Sequence, residues 1–511
     1  METCKLTKFL GASLEGILPF PVSVEINIKR GIPRFMITGL PSPSIKESAD
    51  RIRIAIENSG FEYSLQNILV HLAPAGRKKE GTYLDLPIAA GILYLTEQLP
   101  NSEKLERFLF LGELGLDGSV KPLKGILPIL SGLDSAGFTA AVVPFENRKE
   151  ASVLGKFPIY TISHLKDLVS LAKGQMSPEP KCEIKIRSEI LPWKFESYKS
   201  QLPAIRAVQI ASAGYHHCLL SGPPGAGKTM LAKLAHGFLP KIHEKEGIEL
   251  LGIRSLQEIL SDTEVDRPFR SPHHTISDIS LVGGSSSLKM GEVSLAGNGI
   301  LFLDELAEFH SRNLQALREP MEEGRITISR IRGSITYPAS FLFIGATNPC
   351  PCGYYQTLIK ECNCSVASIR NYQSTFNGPF LDRIEIFYHI GFYRNADGEK
   401  VSINLKSIRD SIQSAADIQR RRLFRETGKL YNGRLRGEEV ERMIPLSKEC
   451  EIYFWKAIHD QKFSIRKVAH FRKVARTIAD LEGSEDVLLR NLEEALVFLN
   501  SGWSPENRAV T

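Results

Sequence analysis

Ser221-Gly222-Pro223-Pro224-Gly225-Ala226-Gly227-Lys228-Thr229 is the stretch that decides how this chain reads. A strand-like run, His217 to Leu220, leads into it, and a helical pattern, Met230 to Phe238, leads out. Strand, glycine loop and helix in that order is the context in which G-x-x-x-x-G-K-[ST] cradles phosphate. Gly222, Pro223, Pro224, Gly225, Ala226 and Gly227 would let backbone N–H groups converge on phosphate oxygens, and the helix N-terminus adds its positive end. Lys228 is expected to reach the β- and γ-phosphates, and the Thr229 hydroxyl to ligate Mg²⁺. The fold class that follows is α/β, with a parallel sheet feeding this loop.

The second half of such a site is sought on another buried strand. Gly299-Ile300-Leu301-Phe302-Leu303-Asp304-Glu305 is an apolar run that ends in two carboxylates. Asp304 is placed to contact Mg²⁺, and Glu305 to activate the attacking water. Taken alone, the run is a strand ending in solvated acids; paired with the glycine loop it predicts an ATPase that takes ATP and Mg²⁺.

Composition narrows the class further. The 511 residues predict several domains, and 42% hydrophobic with 24% charged residues is ordinary for a soluble protein. A net charge of +6 neither demands nor excludes nucleic acid, so a basic surface must be local. No apolar run is long enough to cross a membrane, and Met1-Glu2-Thr3-Cys4-Lys5 opens no secretory segment. Eight cysteines without a secreted context point to a reducing cytoplasm.

Residues 1–173 read as an α/β domain. Strands are expected at Val22–Ile28 and Arg34–Thr38 around a turn at Gly31, at Asn67–Leu72 and at Ala140–Pro144. Helices are expected at Ser44–Ser59, Leu86–Tyr94 and Ile162–Ala172. Lys79-Glu80-Gly81 before a helix, and Gly112-Glu113 with Gly118, Val120 and Pro122, resemble the proteolytic domain of Lon-type proteases and the same fold in the RadA recombination protein. Those proteases need a Ser nucleophile and a Lys base. The resemblance puts the serine position at Tyr83 and the lysine position at or near Leu127, neither of which can do that chemistry. The domain is read as a scaffold, not a protease. Residues 174–200 read as a proline-bearing linker, 201–400 as the ATPase core and 401–511 as a helical lid.

Within the core, Ser311–Glu323 reads as a helix. Arg325 to Tyr337 then alternates on either side of Arg332-Gly333, which suggests a β-hairpin with Arg330 and Arg332 at its tip. Phe341 to Thr347 is another core strand, delivering Asn348, whose amide could hold the attacking water or the γ-phosphate. Asn377-Gly378-Pro379-Phe380-Leu381-Asp382-Arg383 sets an arginine before the next strand, as a surface salt bridge or as a group that enters a neighbouring subunit's site.

These segments, with Arg267-Pro268-Phe269-Arg270-Ser271-Pro272-His273-His274-Thr275, Gly291 to Ala296, Leu317-Arg318-Glu319-Pro320, Asn348-Pro349-Cys350-Pro351-Cys352-Gly353 and Val474 to Leu481, closely resemble the magnesium-chelatase-like AAA+ ATPases of the YifB/ComM family over nearly the whole chain. The resemblance implies Asn348 as first sensor, Arg383 as arginine finger and Arg466 as second sensor. It also implies a cytoplasmic, hexameric motor on branched or single-stranded DNA, promoting branch migration during recombination in natural transformation. Its pore hairpin would grip DNA through Arg325, Arg330 and Arg332, where the alternative is a solvated charged hairpin. A protein-remodelling ATPase, like true chelatase motors, is the competing reading.

Two clusters stay open. Cys350, Cys352, Cys362 and Cys364 form C-x-C-x₉-C-x-C, either a structural Zn²⁺ site or four reduced thiols. Arg420-Arg421-Arg422, with Arg425 and Lys429, is either a solvated helix face or a DNA contact. His273 and His274, being adjacent, point in different directions, and a structural or phosphate-near role is favoured over metal.

Overall fold

The computed structural model describes residues 5–63, 66–100, 103–133, 136–187, 194–284, 290–330, 333–355, 357, 360–375, 378–391 and 400–499. They form two compact units: Met1–Arg187 with His243–Val265 and Ser329–Thr336, and Ser188–Ile242 with Asp266–Ile328 and Tyr337–Thr511.

The first unit is built on a seven-stranded mixed sheet. Its strands are β1 (Lys5–Glu15), β2 (Leu18–Lys29), β3 (Arg34–Thr38), β4 (Asn67–Ala73), β5 (Phe108–Phe110), β6 (Ala140–Pro144) and β7 (Ile159–Ile162), in the order β3-β4-β2-β1-β5-β6-β7. Phe20, Val22, Val24 and Ile26 are buried at every second position of β2, the alternation expected of a strand with one face on the core. That face carries the helices Pro43–Asn58 and Asp85–Leu95. On the other side lies the helix Ile126–Gly132, against which the helix Glu244–Gln257 packs. Gly125 N–H donates to Ser255 O at 2.8 Å, and Lys124 Nζ to Gln257 O at 2.6 Å.

Several expectations for this unit change. The strands on either side of Gly31 are not a pair: β4 sits between them, antiparallel to β2 and parallel to β3. The closing helix is shorter than read, Asp167–Ala172, because Ile159–Ile162 is a strand paired with β6.

The second unit holds an all-parallel five-stranded sheet. Its strands are β8 (Cys218–Ser221), β9 (Phe269–Arg270), β10 (Ile300–Leu303), β11 (Leu342–Thr347) and β12 (Ile386–His389), in the order β9-β10-β11-β8-β12. β8, β10 and β11 are buried at every residue, as continuous apolar strands covered on both faces must be. The helices Leu202–Gly214 and Lys228–Phe238 pack here, and Leu405–Thr427 and Ile465–Leu481 pack on the first of them, so ATPase core and C-terminal helices share one hydrophobic core. Polar ties reinforce it. Buried Arg267 donates to Pro240 O at 2.9 Å, Tyr215 OH at 3.2 Å and Tyr431 OH at 3.1 Å. Fully buried Glu385 takes Lys473 Nζ at 2.9 Å and His217 N–H at 2.9 Å.

Here too the sequence reading needs amending. The stretch read as a linker contains two strands, Lys185–Ile186 and Lys194–Tyr198, and the latter pairs antiparallel with Lys400–Asn404. The C-terminal region therefore begins in a strand. The helix expected over 311–323 is two helices, Ser311–Ala316 and Arg318–Glu323, broken at Leu317. Pro320 explains the break: it has no N–H to donate to the carbonyl of residue 316, so a continuous helix would lose that bond and clash there.

Candidate functional site

The phosphate cradle begins where β8 ends. Gly222 N–H donates to Thr347 O at 3.2 Å, and Ile390 N–H to Ser221 O at 2.7 Å, so neighbouring strands clamp the loop's start. Gly225 and Gly227 take φ of +78° and +85°, the left-handed region that a side chain would strain, and Gly227 caps the helix Lys228–Phe238. Its first N–H groups are thereby left facing the loop.

Lys228 Nζ lies inside this loop, donating to Gly222 O at 2.7 Å, Pro223 O at 3.0 Å and Asn348 Oδ1 at 3.0 Å. Burial pulls its ammonium down to about 8, against the opposing pull of Asp304 and Glu305. Asn348 follows β11, the strand beside β8, so sheet order alone brings it to the lysine. Thr229 Oγ1 donates to Asp304 Oδ2 at 2.8 Å. These two oxygens from helix and strand end converge as Mg²⁺ ligands would; a hard cation there binds oxygen and draws charge from a phosphoryl group. Asp304 Oδ1 also accepts Glu305 N–H at 2.9 Å. Glu305 stands at φ 51°, unusual for a residue with a side chain. Its Oε2 lies 3.5 Å from His274 Nδ1, and the His274 ring packs on His273 with centroids 4.1 Å apart. His273 lines, with Phe269, Arg270 and Glu292, a cavity of about 370 Å³. The His274–Glu305 pair was not legible along the chain beyond two histidines read as structural or near phosphate.

Arg383 ends the turn Gly378–Arg383 before β12. Its Nε donates to Arg318 O at 3.0 Å, and its guanidinium also meets Pro379 O and Glu322 Oε2. Arg466 is the second residue of the helix Ile465–Leu481, which Ser464 caps. Its Nη2 donates to Glu322 at 3.0 and 3.2 Å. Arg383 and Arg466 thus meet on Glu322, a residue that sequence reasoning did not single out.

Of the hairpin arginines, exposed Arg325 lies 3.6 Å from Glu323; the strands Arg325–Arg330 and Gly333–Pro338 form the hairpin, while the Arg330 side chain and Arg332 fall outside the described residues. The basic run on the helix Leu405–Thr427 divides. Arg420 donates to Lys241 O at 2.7 Å and Arg422 to both Asp480 oxygens at 2.8 Å, so both brace the fold.

The four cysteines come together. Cys350 Sγ is 3.3 Å from Cys352 Sγ and 3.7 Å from Cys362 Sγ, and all four sulfurs lie within 4.8 Å of one another. A tetrahedral Zn²⁺ with bonds of ~2.3 Å would hold thiolates ~3.8 Å apart. The donor set fits such an ion. Gly353, in the same loop, lies so close to Pro224 that an added Cβ would sit 2.6 Å from its ring. The cysteine loop thus abuts the phosphate loop.

In the first unit, Tyr83 OH donates to Lys124 O at 3.0 Å and Leu127 is fully buried. Lys79 is also buried, its Nζ donating to Gly39 O at 2.9 Å and to Pro74 O. The positions that the sequence resemblance gives to a Lon-type serine and lysine, Tyr83 and Leu127, are held by packing groups.

Family models for magnesium chelatase subunit ChlI match residues 194–397 and 24–147, and one for its C-terminal region matches 403–498. The chain is 36% identical over 492 residues to the uncharacterised protein YifB of Salmonella typhimurium, covering 94% of this chain and 95% of that one. It is 36% identical over 490 residues to the competence protein ComM of Haemophilus influenzae, covering 93% and 94%. Lon protease 2 of Bacillus subtilis matches more narrowly, 25% identical over 190 residues, 32% of this chain and 34% of that protein.

Proposed function

The chain belongs to the magnesium-chelatase-like AAA+ ATPases that include YifB and ComM, and from that premise we propose that it is an ATP-driven hexameric motor acting on branched or single-stranded DNA, in recombination or natural transformation. The observation that carries the ATPase is the convergence of Lys228, Asn348, Thr229 and Asp304 on one loop. The name of the ComM relative, a competence protein, supports the DNA reading, as does a hairpin whose sequence offers Arg325, Arg330 and Arg332 and no aromatic residue at its tip.

In this reading the ammonium of Lys228 exchanges the carbonyls of Gly222 and Pro223 for β- and γ-phosphate oxygens. The Gly222–Gly227 loop, with Pro223, Pro224, Gly225 and Ala226, supplies backbone donors. Thr229 and Asp304 hold Mg²⁺, which when bound offsets phosphate charge. Glu305 takes the proton of the attacking water, and Asn348, released by Lys228, orients that water or the γ-phosphate. Arg383 and Arg466 supply positive charge to the transition state. Cys350, Cys352, Cys362 and Cys364 hold a structural Zn²⁺ that braces the loop between Asn348 and Pro224.

The test is ATP hydrolysis by the full chain with and without branched or single-stranded DNA. Stimulation by DNA, lost in Arg330→Ala/Arg332→Ala along with part of the salt dependence of binding, is the expected result. Stimulation by a protein substrate and not by DNA would favour a remodelling ATPase instead.

A further inference from the structure

We propose that the cysteine cluster is an oxidisable modification site: a peroxide joins Cys352 to Cys362 as a disulfide, the set no longer holds Zn²⁺, and the phosphate loop loses its brace. The inference rests on the zinc and ATPase readings above, and adds to them a reaction of the ligands and its consequence for hydrolysis.

The sulfurs are placed for that reaction. Cys352 Sγ lies 3.5 Å from Cys362 Sγ and 3.3 Å from Cys350 Sγ. Cys352 and Cys362 are both half-buried, whereas Cys350 is buried and its Sγ also accepts Tyr355 N–H at 3.2 Å. An oxidant from solvent therefore meets Cys352 or Cys362 before it meets Cys350. Elsewhere among the described residues, Cys218 and Cys450 are buried, and half-buried Cys182 has Thr263 Oγ1, not another sulfur, at 3.9 Å.

One peroxide accounts for the whole step. The Cys352 thiolate attacks a peroxide oxygen, the O–O bond breaks, and the departing hydroxide takes a proton to become water. The sulfur is left as a sulfenic acid. The Cys362 thiolate then displaces hydroxide from that sulfur, so the S–S bond forms and a second water is released. Two electrons pass from the sulfurs to the peroxide oxygens. Of the four thiolates that suit Zn²⁺, two are then gone, and Cys350 with Cys364 makes only half of a tetrahedral set.

The consequence follows from where the loop is tied. Cys350 comes two residues after Asn348, whose Oδ1 accepts the Lys228 ammonium at 3.0 Å. Gly353 N–H donates to Cys350 O at 2.9 Å, and Gly353 itself lies against the ring of Pro224. On the far side of the cluster, Ser365 caps the helix Val366–Ser374, and Gln373 Nε2 returns to donate to Pro349 O at 3.0 Å. The cluster thus closes a loop that begins beside Asn348 and leans on the phosphate loop. Once it opens, Asn348 and Pro224 are free to shift, and ~1 Å of misplacement costs on the order of 10²-fold in rate.

The experiment uses full-length Cys4→Ser/Cys182→Ser protein, in which the cluster and the two buried cysteines remain. Zinc content and ATP hydrolysis are measured first. Hydrogen peroxide is then added in steps, while released Zn²⁺, disulfides mapped by peptide mass and ATP hydrolysis are followed together. About one Zn²⁺ should appear for each Cys352–Cys362 disulfide, and hydrolysis should fall on the order of 10²-fold in step with it. Dithiothreitol with added Zn²⁺ should restore both, and far-UV circular dichroism should stay unchanged throughout. Zinc retained under peroxide, or released without loss of hydrolysis, would overturn the switch and leave the zinc reading standing. A loss that reductant and Zn²⁺ do not reverse would be oxidative damage, and would overturn it equally. Protein that carries no zinc before peroxide would remove the zinc reading and the switch with it, whereas protein that carries zinc but hydrolyses no ATP would remove the ATPase reading.

Discussion

The two units treat inherited chemistry in opposite ways. Around β8, β10 and β11 the polar groups that a phosphate cradle needs are present and already touch: Lys228 with Asn348, Thr229 with Asp304, His274 beside Glu305. In the first unit the sheet and its helices are well packed, but Tyr83 and buried Leu127, the places that the sequence resemblance gives to a Lon-type serine and lysine, offer neither group. The contrast teaches that packing alone preserves a fold, while a site survives only through its few polar residues. A likeness in fold is therefore no argument for a shared reaction.

The sharpest way to break this contrast is to disarm the furnished unit. Glu305→Gln should slow hydrolysis by about 10²- to 10⁴-fold, the share of a general base, while ATP still binds. Lys228→Ala should weaken ATP binding on the order of 10²-fold. Turnover and nucleotide titration measure the two separately. Near-normal turnover in Glu305→Gln would take the base role from it.

The converse is to rearm the bare unit. Tyr83→Ser/Leu127→Lys restores the two residue types, yet should give no peptide hydrolysis and should lose about 3 kcal/mol of stability, because a fully buried position would receive a charge. Casein digestion and denaturant unfolding decide it. Any peptidase activity would show that the scaffold kept more than its packing.

The cysteine cluster tests how far the second unit depends on a metal. Protein purified without chelator should carry about one Zn²⁺ per chain. Cys350→Ser/Cys352→Ser should lose it and melt about 5 °C lower. Metal analysis that finds none leaves four close thiols and no clamp.

The smallest effect concerns acid. Burial holds His470 down to about 3 and His217 to about 4, and lowers His216 as well. A group whose folded pKa lies below its unfolded value of ~6.5 leaves the unfolded chain binding more protons between the two, so stability falls as pH drops below ~6.5. For His470 alone the loss from pH 7 to 5.5 is about 1 kcal/mol, and His470→Gln should flatten the profile by that amount. Equal slopes in mutant and wild type would mean that His470 is already charged in the fold. The proposed site residues are spared by design, so activity at neutral pH serves as the control.

What could be read in the sequence was what lies close along the chain. Gly225-Ala226-Gly227-Lys228-Thr229 is one contiguous run, and positive φ at its two glycines, a conformation that favours glycine, marks it. The apolar runs of β8, β10 and β11 announce buried parallel strands for the same reason. Glu322 was illegible because its partners lie 61 and 144 residues away, at Arg383 and Arg466, and nothing in Met321-Glu322-Glu323 distinguishes one acid from the next. Lys194–Tyr198 escaped notice because its partner, Lys400–Asn404, is remote and its apolar residues, Phe195 and Tyr198, are three apart, without the alternation that reveals a half-buried strand. Arg420 and Arg422 misled in the other direction, since a basic run looks the same whether it faces water or Asp480.

The helix Glu244–Gln257 belongs to the first unit although its sequence lies inside the ATPase stretch, and Ser329–Thr336 does likewise. Neither unit is therefore a cassette. A gene truncated after Arg187 would encode a fragment whose Gly125 lacks its partner Ser255, and whose Ile126–Gly132 helix lacks its cover. Deleting the N-terminal stretch would strand that helix, with its apolar side, in an otherwise intact ATPase. Because the two units interleave along the chain, replacing residues 1–187 alone would leave the helix Glu244–Gln257 without the helix it packs on.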